Sequence, residues 1–293
     1  MRECQRKSVR PMSGPSLRYI VHGATGAQGA PVVTALTAAG FNAIGAVRDV
    51  TRIGGPAMVV DLSSTEALIR AYRGSGGVFI HLPEGRPEDH RAQMMAVSRA
   101  IRVARPRRVV MSTSGHAIGP GSGSAIAILH HELQAIGVPF AVVEPQISLE
   151  NLLAPQIFDA ALREGVLRLP MHRDVRLRWS SHLDVADTVT QLFHQHVGGG
   201  VLVGASPGLS GPDIAAGFSR YFEREIAYEA ISQDAFLELS AFADGGAVSG
   251  QSVVDRLHRA QVQSRATDGS VSAVSLLGLR PRAVHEWLGD LGI

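Results

Sequence analysis

The sequence predicts an α/β fold: a doubly wound parallel sheet followed by a smaller C-terminal α/β domain. Three observations predict it. Short apolar runs of strand length alternate with longer stretches at helical spacing as far as Pro145. The first run leads straight into glycines spaced three apart. The regular alternation then breaks down after Gln146.

The elements follow in order. Leu17 to His22 (LRYIVH) reads as the first strand, and GATGAQG follows it, with Gly23, Gly26 and Gly29 at G-x-x-G-x-x-G spacing. The first glycine permits a tight turn off the strand. The second lets backbone approach a pyrophosphate, and the third lets the next helix pack on the sheet with its N-terminal amides aimed at the phosphates. A lone glycine triplet is weak evidence, whereas one set between a strand and a helix is strong. Pro31 sits in the helix's first turn, Val32, Val33, Leu36 and Ala39 recur at helical spacing, and Gly40 ends it.

The second strand is Ala43 to Val47, and Arg48 and Asp49 close it. An acidic residue at that point bonds an adenosine ribose, while a basic one pairs with a 2′-phosphate. Arg48 comes first, and a guanidinium suits a phosphate, so NADP(H) is preferred; Asp49 keeps NAD(H) possible. The third to sixth strands are Ala57 to Val60, Gly77 to His81, Arg108 to Met111 and Pro139 to Val143. Helices Thr65 to Tyr72, Pro87 to Ala104 and Ala125 to Ile136 separate them. Arg107 and Arg108 read as caps on an exposed strand start. Ligands in such folds sit at the carboxyl ends of the strands, so the residues there form the expected cofactor and substrate surface.

Beyond Gln146, Leu149 to Arg163 reads as a helix and Leu167 to Trp179 as irregular. Val185 to His194 is helical, Val201 to Gly204 a strand, Gly211 to about Phe222 a helix and Ile226 to Ala230 a strand. Ala241 to Gly250 is rich in Gly, Ala and Ser and reads as a lid or a plain loop. The last residues read as a turn and a short helix. The expected division is a disordered tail at 1–16, a nucleotide-binding domain at 17–150 plus about 181–206, and a substrate-binding domain at 151–180 and 207–293.

Composition removes several function classes. The net charge of +2 arises in the first 14 residues, which carry +3, so the remainder carries −1 and offers nothing for nucleic acid. No apolar run reaches the roughly 18 residues a membrane helix needs. Cys4 is the single cysteine, so no disulfide forms within the chain and a cytoplasmic setting is the default. His130, His131 and Glu132 lack zinc-site spacing, and His194 and His196 have no third ligand nearby, so no metal is expected.

Taken together, GATGAQG, VRD, LENLL (Leu149 to Leu153), WSSHLDVADTV (Trp179 to Val189) and the final LLGLRPRAVHEWL resemble the NmrA-like group of atypical short-chain dehydrogenases. The resemblance spans about residues 17 to 293. It implies a Rossmann domain binding NADP(H) or NAD(H) and a substrate cleft covered by the C-terminal domain; the expected partner is a small lipophilic molecule, and the expected state a monomer or homodimer. Position by position, Gly23, Gly26 and Gly29 hold the pyrophosphate, with Thr25, Ala27 and Gln28 in the same loop, and Arg48 takes the 2′-phosphate. Asp61 and Leu62 lie by the adenine, and Leu82 and Pro83 by the linking ribose and nicotinamide. Ser112 and Thr113 border the nicotinamide, and Ser114 falls where a serine polarises a carbonyl in active relatives. Glu144 departs from the group, which often has an arginine there.

A second departure decides the mechanism. The tyrosines are Tyr19, Tyr72, Tyr221 and Tyr228, and Lys7 is the only lysine, so the usual Tyr-x-x-x-Lys pair is absent. A positioned acid contributes about 10²–10⁴-fold, so its loss slows a reductase without forbidding it. The proton then comes from His116, Ser114, His81, water or the substrate itself. The expected activity is NADPH-dependent reduction of a ketone on a lipophilic molecule. With 27 arginines against one lysine hinting at a GC-rich genome, an aromatic polyketide of antibiotic biosynthesis is the natural association. The alternatives are an NADP(H)-binding redox sensor without catalysis and an NADPH:quinone reductase.

Overall fold

A computed structural model describes residues 17–82, 85–119, 121–241, 249–263 and 270–293. The expected tail at 1–16, Pro83 and most of the Ala241 to Gly250 stretch lie outside the described residues. The strands run β1 (Arg18–His22), β2 (Asn42–Val47), β3 (Ala57–Val59), β4 (Gly77–Ile80), β5 (Val109–Ser112) and β6 (Phe140–Pro145). Then come β7 (Ile147–Ser148), β8 (Val166–Leu169), β9 (Trp179–Ser180), β10 (Gly199–Val203), β11 (Ala227–Ala230) and β12 (Val271–Ser272). Eight of them form one sheet in the order β12-β10-β6-β5-β4-β1-β2-β3, with every neighbouring pair parallel. Chain order reverses between β1 and β4, and the crevice outside their carboxyl ends is where such sheets bind ligands.

Parallel strands covered on both faces must be apolar throughout, and β4 and β5 are buried at every residue. On one face lie α2 (Thr65–Tyr72), α3 (Pro87–Ala104) and α4 (Ala125–Ile136), around a core including Leu68, Met94, Ile101, Leu129 and Leu133. On the other lie α1 (Gly29–Ala38) and α6 (His182–Gln195), around Val32, Leu36, Val189, Leu192 and Phe193. Between these two in the chain, α5 spans Pro155–Glu164.

Residues from 147 onward build a third core, which includes Leu152, Ile157, Trp179, Phe218 and Trp287. It is framed by α5, α7 (Gly211–Phe222), α8 (Gln233–Ala241), α9 (Gly250–Gln263) and α11 (Val284–Leu291). The short α10 (Ala273–Leu277) instead packs with β12 on the α1–α6 face.

Three expectations are corrected. Leu149 to Arg163 is two pieces, a 3-10 turn at Leu149–Leu153 and then α5, because Pro155 drives Ala154 to an extended backbone at ψ 131°. The stretch Leu167 to Trp179 is not wholly irregular, because β8 pairs in parallel with β11 and β9 with β7. Arg108 is buried rather than exposed, and its guanidinium bonds the Val197 carbonyl at the base of the sheet.

A buried polar pair lies under the ligand end of the sheet. The Tyr72 hydroxyl stands 2.7 Å from Nε2 of His22, the last residue of β1. Burial pushes the phenol up and the imidazole down from 6.5 to about 3, with His81 adding to the second shift. Both groups therefore stay neutral, and the phenol donates to the ring nitrogen. The unfolded chain takes this histidine's proton near 6.5 and the native protein only near 3, so stability is full above about 6.5 and falls as the pH drops between them. Urea unfolding should show that decline, and a flat profile from about pH 7 to 5 would contradict it. Tyr72→Phe leaves the nitrogen unpaired and should cost about 1–3 kcal/mol.

Candidate functional site

The site begins where β1 ends. Gly23 has φ +63°, and a Cβ there would come within 2.3 Å of His81 Nε2. The Gly26 amide closes the turn on the Gly23 carbonyl at 2.8 Å. A Cβ on Gly29 would lie 2.2 Å from that same carbonyl, so α1 starts closer to the strand than any side chain allows. Thr25, Gly26 and Ala27 are exposed at the tip of the loop. Gln28 is buried at the start of α1, caps nothing, and its Oε1 has no partner among the described residues. No acidic residue occupies the first turn of α1, which leaves its positive end free for an anion.

At the end of β2, Arg48 is exposed. Asp49 is committed elsewhere: it accepts from the Thr51 amide at 3.0 Å and the Thr51 hydroxyl at 2.7 Å, capping a 3-10 turn. The Thr51 hydroxyl is also the main cause that holds its carboxyl below the usual range. That turn carries a second exposed guanidinium, Arg52, which the sequence reading did not single out. After β3, Asp61 takes the Ser63 amide at 2.8 Å, and Leu62 packs into the core beside α2 and α3.

The end of β4 puts His81 against the glycine loop. Its Nδ1 bonds the Leu82 carbonyl at 2.9 Å, and burial pushes its imidazole below 6.5. A neutral ring wedged against Gly23 supports the turn and is poorly placed to supply a proton. The end of β5 is strained. Ser112 and Thr113 are buried, and Ser114 sits at φ +51°, a left-handed backbone that a non-glycine residue adopts at a cost of about 1–2 kcal/mol. That conformation turns the Ser114 amide onto Ser112 Oγ at 3.2 Å and leaves Ser114 Oγ buried with no partner among the described residues. His116 follows, half-buried, its amide on the Thr113 carbonyl at 2.9 Å. Burial pushes its imidazole below 6.5, and the positive fields of Arg259, His90 and Arg256 push it further down. Glu144 accepts from Ser270 at 2.8 Å.

One group was missed by sequence reasoning. Ser148 Oγ stands 3.1 Å from His182 Nε2, and Glu150 joins them from the 3-10 turn at Leu149–Leu153. The Glu150 carboxylate accepts the Ser148 hydroxyl, the His182 amide at 2.9 Å and Trp287 Nε1–H at 3.3 Å. Burial holds the His182 imidazole below 6.5 against the opposing pull of Glu150. This cluster locks the start of α6 and α11 to the strand ends. Glu150 and His182 both lie in sequence stretches with recognisable motifs, but nothing local says that residues so far apart in the chain touch.

The arrangement is a crevice at a switch point, with a glycine-turned loop, a helix whose first turn holds no acidic residue, and buried polar atoms on two strand ends, His81 Nε2 and Ser114 Oγ, that have no partner among the described residues. Its geometry suits a phosphate-bridged dinucleotide, and the sheet is of the doubly wound class. The NmrA-like family model matches residues 17–265, and the chain belongs to that family. No curated protein matches the chain in sequence. Solved structures share its fold. Triphenylmethane reductase of Citrobacter sp., complexed with NADP(H), superposes at TM-score 0.75 with 14% identity over 92% of this chain and 98% of that one. An NADPH-dependent quinone oxidoreductase of Escherichia coli, complexed with NADPH, gives 0.75 with 18% identity over 94% and 100%. Nmra, a negative transcriptional regulator, gives 0.64 with 17% identity over 85% and 82%.

Among the described residues no helix is long and apolar enough to cross a membrane, and no group of three or more histidines, cysteines or carboxylates is placed to hold a metal ion. Glu150→Ala removes the acceptor of three donors, stranding the His182 amide and Trp287 Nε1–H, and should destabilise the fold by roughly 2–4 kcal/mol in urea unfolding. A cost under about 1 kcal/mol would show that the cluster is not a structural node.

Proposed function

We propose that the protein is an NADP(H)-dependent oxidoreductase that reduces a ketone or quinone on a small lipophilic molecule. The observation that carries this reading is Ser114. A strained, left-handed residue holds a buried hydroxyl, without a partner among the described residues, at the end of β5, next to the switch-point crevice. Such strain persists when the site needs the geometry.

When bound, the nicotinamide supplies a hydride, and the chain supplies the surroundings. In this reading the loop Gly23, Thr25, Gly26, Ala27, Gln28 and Gly29 holds the pyrophosphate. Arg48 and Arg52 hold the 2′-phosphate, a role supported by the capping duty that removes Asp49 from ribose binding. Asp61 and Leu62 border the adenine, and Leu82 the ribose nearer the nicotinamide; Pro83, assigned with it, lies outside the described residues. Ser112 and Thr113 form the floor of the nicotinamide pocket. Ser114 Oγ–H donates to the substrate oxygen, and His116 delivers the proton that the missing tyrosine would have carried. A polyketide-type aromatic ketone remains the finer proposal for the substrate. A redox sensor is the second reading, favoured by the absent dyad and by the regulator among the structures sharing this fold.

Two outcomes test this. Arg48→Ala should weaken NADPH binding about ten-fold or more and NADH binding little, by fluorescence titration; equal losses would remove the phosphate role. Because the His116 imidazole is held below 6.5, it is protonated only as the pH falls, so turnover with a quinone or hydroxy-ketone should rise from pH 8 toward pH 5. His116→Ala should flatten that rise. Tight NADPH binding with no turnover on either class of acceptor would favour the sensor.

A further inference from the structure

We infer that the acceptor this site takes is an anion, a planar ring system bearing a carboxylate, sulfonate or phenolate, seated between the Ser114–His116 loop and the Arg256–Arg259 face of α9. The inference rests on the oxidoreductase reading and names its substrate class. The first support is where α9 sits. Val253, Val254, Leu257 and Ala260 bury one side of it in the third core. Two polar contacts then pin it over the strand ends: Gln146 Nε2 donates to the Ala260 carbonyl at 3.1 Å, and Arg256 donates to Asn151 Oδ1 at 2.5 Å. The loop after β5 meets the same strip, since a Cβ on Gly115 would lie 3.1 Å from the Gln146 carbonyl oxygen. The His116 loop and α9 therefore face each other across Gln146.

The second support is the charge balance of that gap. Arg256 and Arg259, three apart on one helix, present their charges on one face. Their field reaches His116, and that of Arg256 reaches His182 as well. Glu150, whose field also reaches His182, already accepts three donors from its own cluster. Arg259 is half-buried and makes no hydrogen bond or ion pair among the described residues. Ser114 Oγ and His90 Nε2, the latter in the first turn of α3, are buried and have no partner among the described residues. A half-buried guanidinium loses part of its hydration, and an anionic ligand restores what a neutral ketone cannot.

The test compares two quinones of similar shape, a naphthoquinone sulfonate and uncharged menadione, titrated into the full chain with and without NADP⁺. Binding is read by calorimetry and turnover is measured separately. We expect the sulfonate to bind at least ten-fold tighter, with a preference that shrinks as salt rises. Arg259→Gln should lower the ratio of the two affinities about ten-fold, and Arg259→Lys should keep part of it. Equal affinities in the native protein, or a ratio untouched by Arg259→Gln, would overturn the inference. Preferential sulfonate binding with neither quinone reduced would leave the anion site standing and sink the oxidoreductase reading. Turnover of both quinones at equal affinity would do the reverse.

Discussion

The close approach of α1 to the end of β1 is the constraint on which the rest of the architecture depends. The Gly23 carbonyl sits where a Cβ on Gly29 would have to go, and the His81 ring sits where a Cβ on Gly23 would go. Any side chain at either glycine pushes the helix off the sheet or the loop off β4. With both absent, α1 starts directly off the turn at the end of β1, beside the point between β1 and β4 where chain order reverses. The Tyr72–His22 pair beneath it keeps both rings neutral, so no buried charge disturbs the end of β1.

The second half of the chain completes the crevice by closing on the same strand ends. Glu150 gathers donors from β7, α6 and α11, and so ties the third core to the sheet. Arg282 makes a similar tie further out, with Asp184 at 2.9 Å, Asp187 at 2.8 Å and Asp290 at 2.6 Å. Asp184 is also the reciprocal partner in the Ser181 capping box, so the start of α6 is fixed from inside and outside. These contacts fix where His182 stands, and its field reaches the His81 ring at the end of β4.

How much of this was legible in the sequence varied with the range of the forces involved. The helices Thr65–Tyr72, Pro87–Ala104 and Ala125–Ile136 were readable to the residue, and Gly211–Phe222 nearly so, because capping residues, prolines and helical periodicity are local. The glycine loop was readable because its spacing encodes its geometry. Pro155 was a visible breaker that helical periodicity across Leu149 to Arg163 overrode. The β8–β11 pairing, the burial of Arg108 and the Ser148–Glu150–His182 cluster were not readable, since each depends on residues far apart in the chain. The missing Tyr-x-x-x-Lys pair was fully readable, because a chain with one lysine at position 7 cannot supply it. α4 buries Ile126, Leu129, Leu133 and Ile136 on the sheet and contributes packing.

The most direct measurement of the central claim is a crystal structure of the protein with NADPH. The account expects the pyrophosphate on the 23–29 loop at the start of α1, the 2′-phosphate at Arg48 and Arg52, and the nicotinamide ring beside Ser112 to Ser114. A nucleotide held elsewhere, or a crevice that stays empty at saturating NADPH, would contradict it.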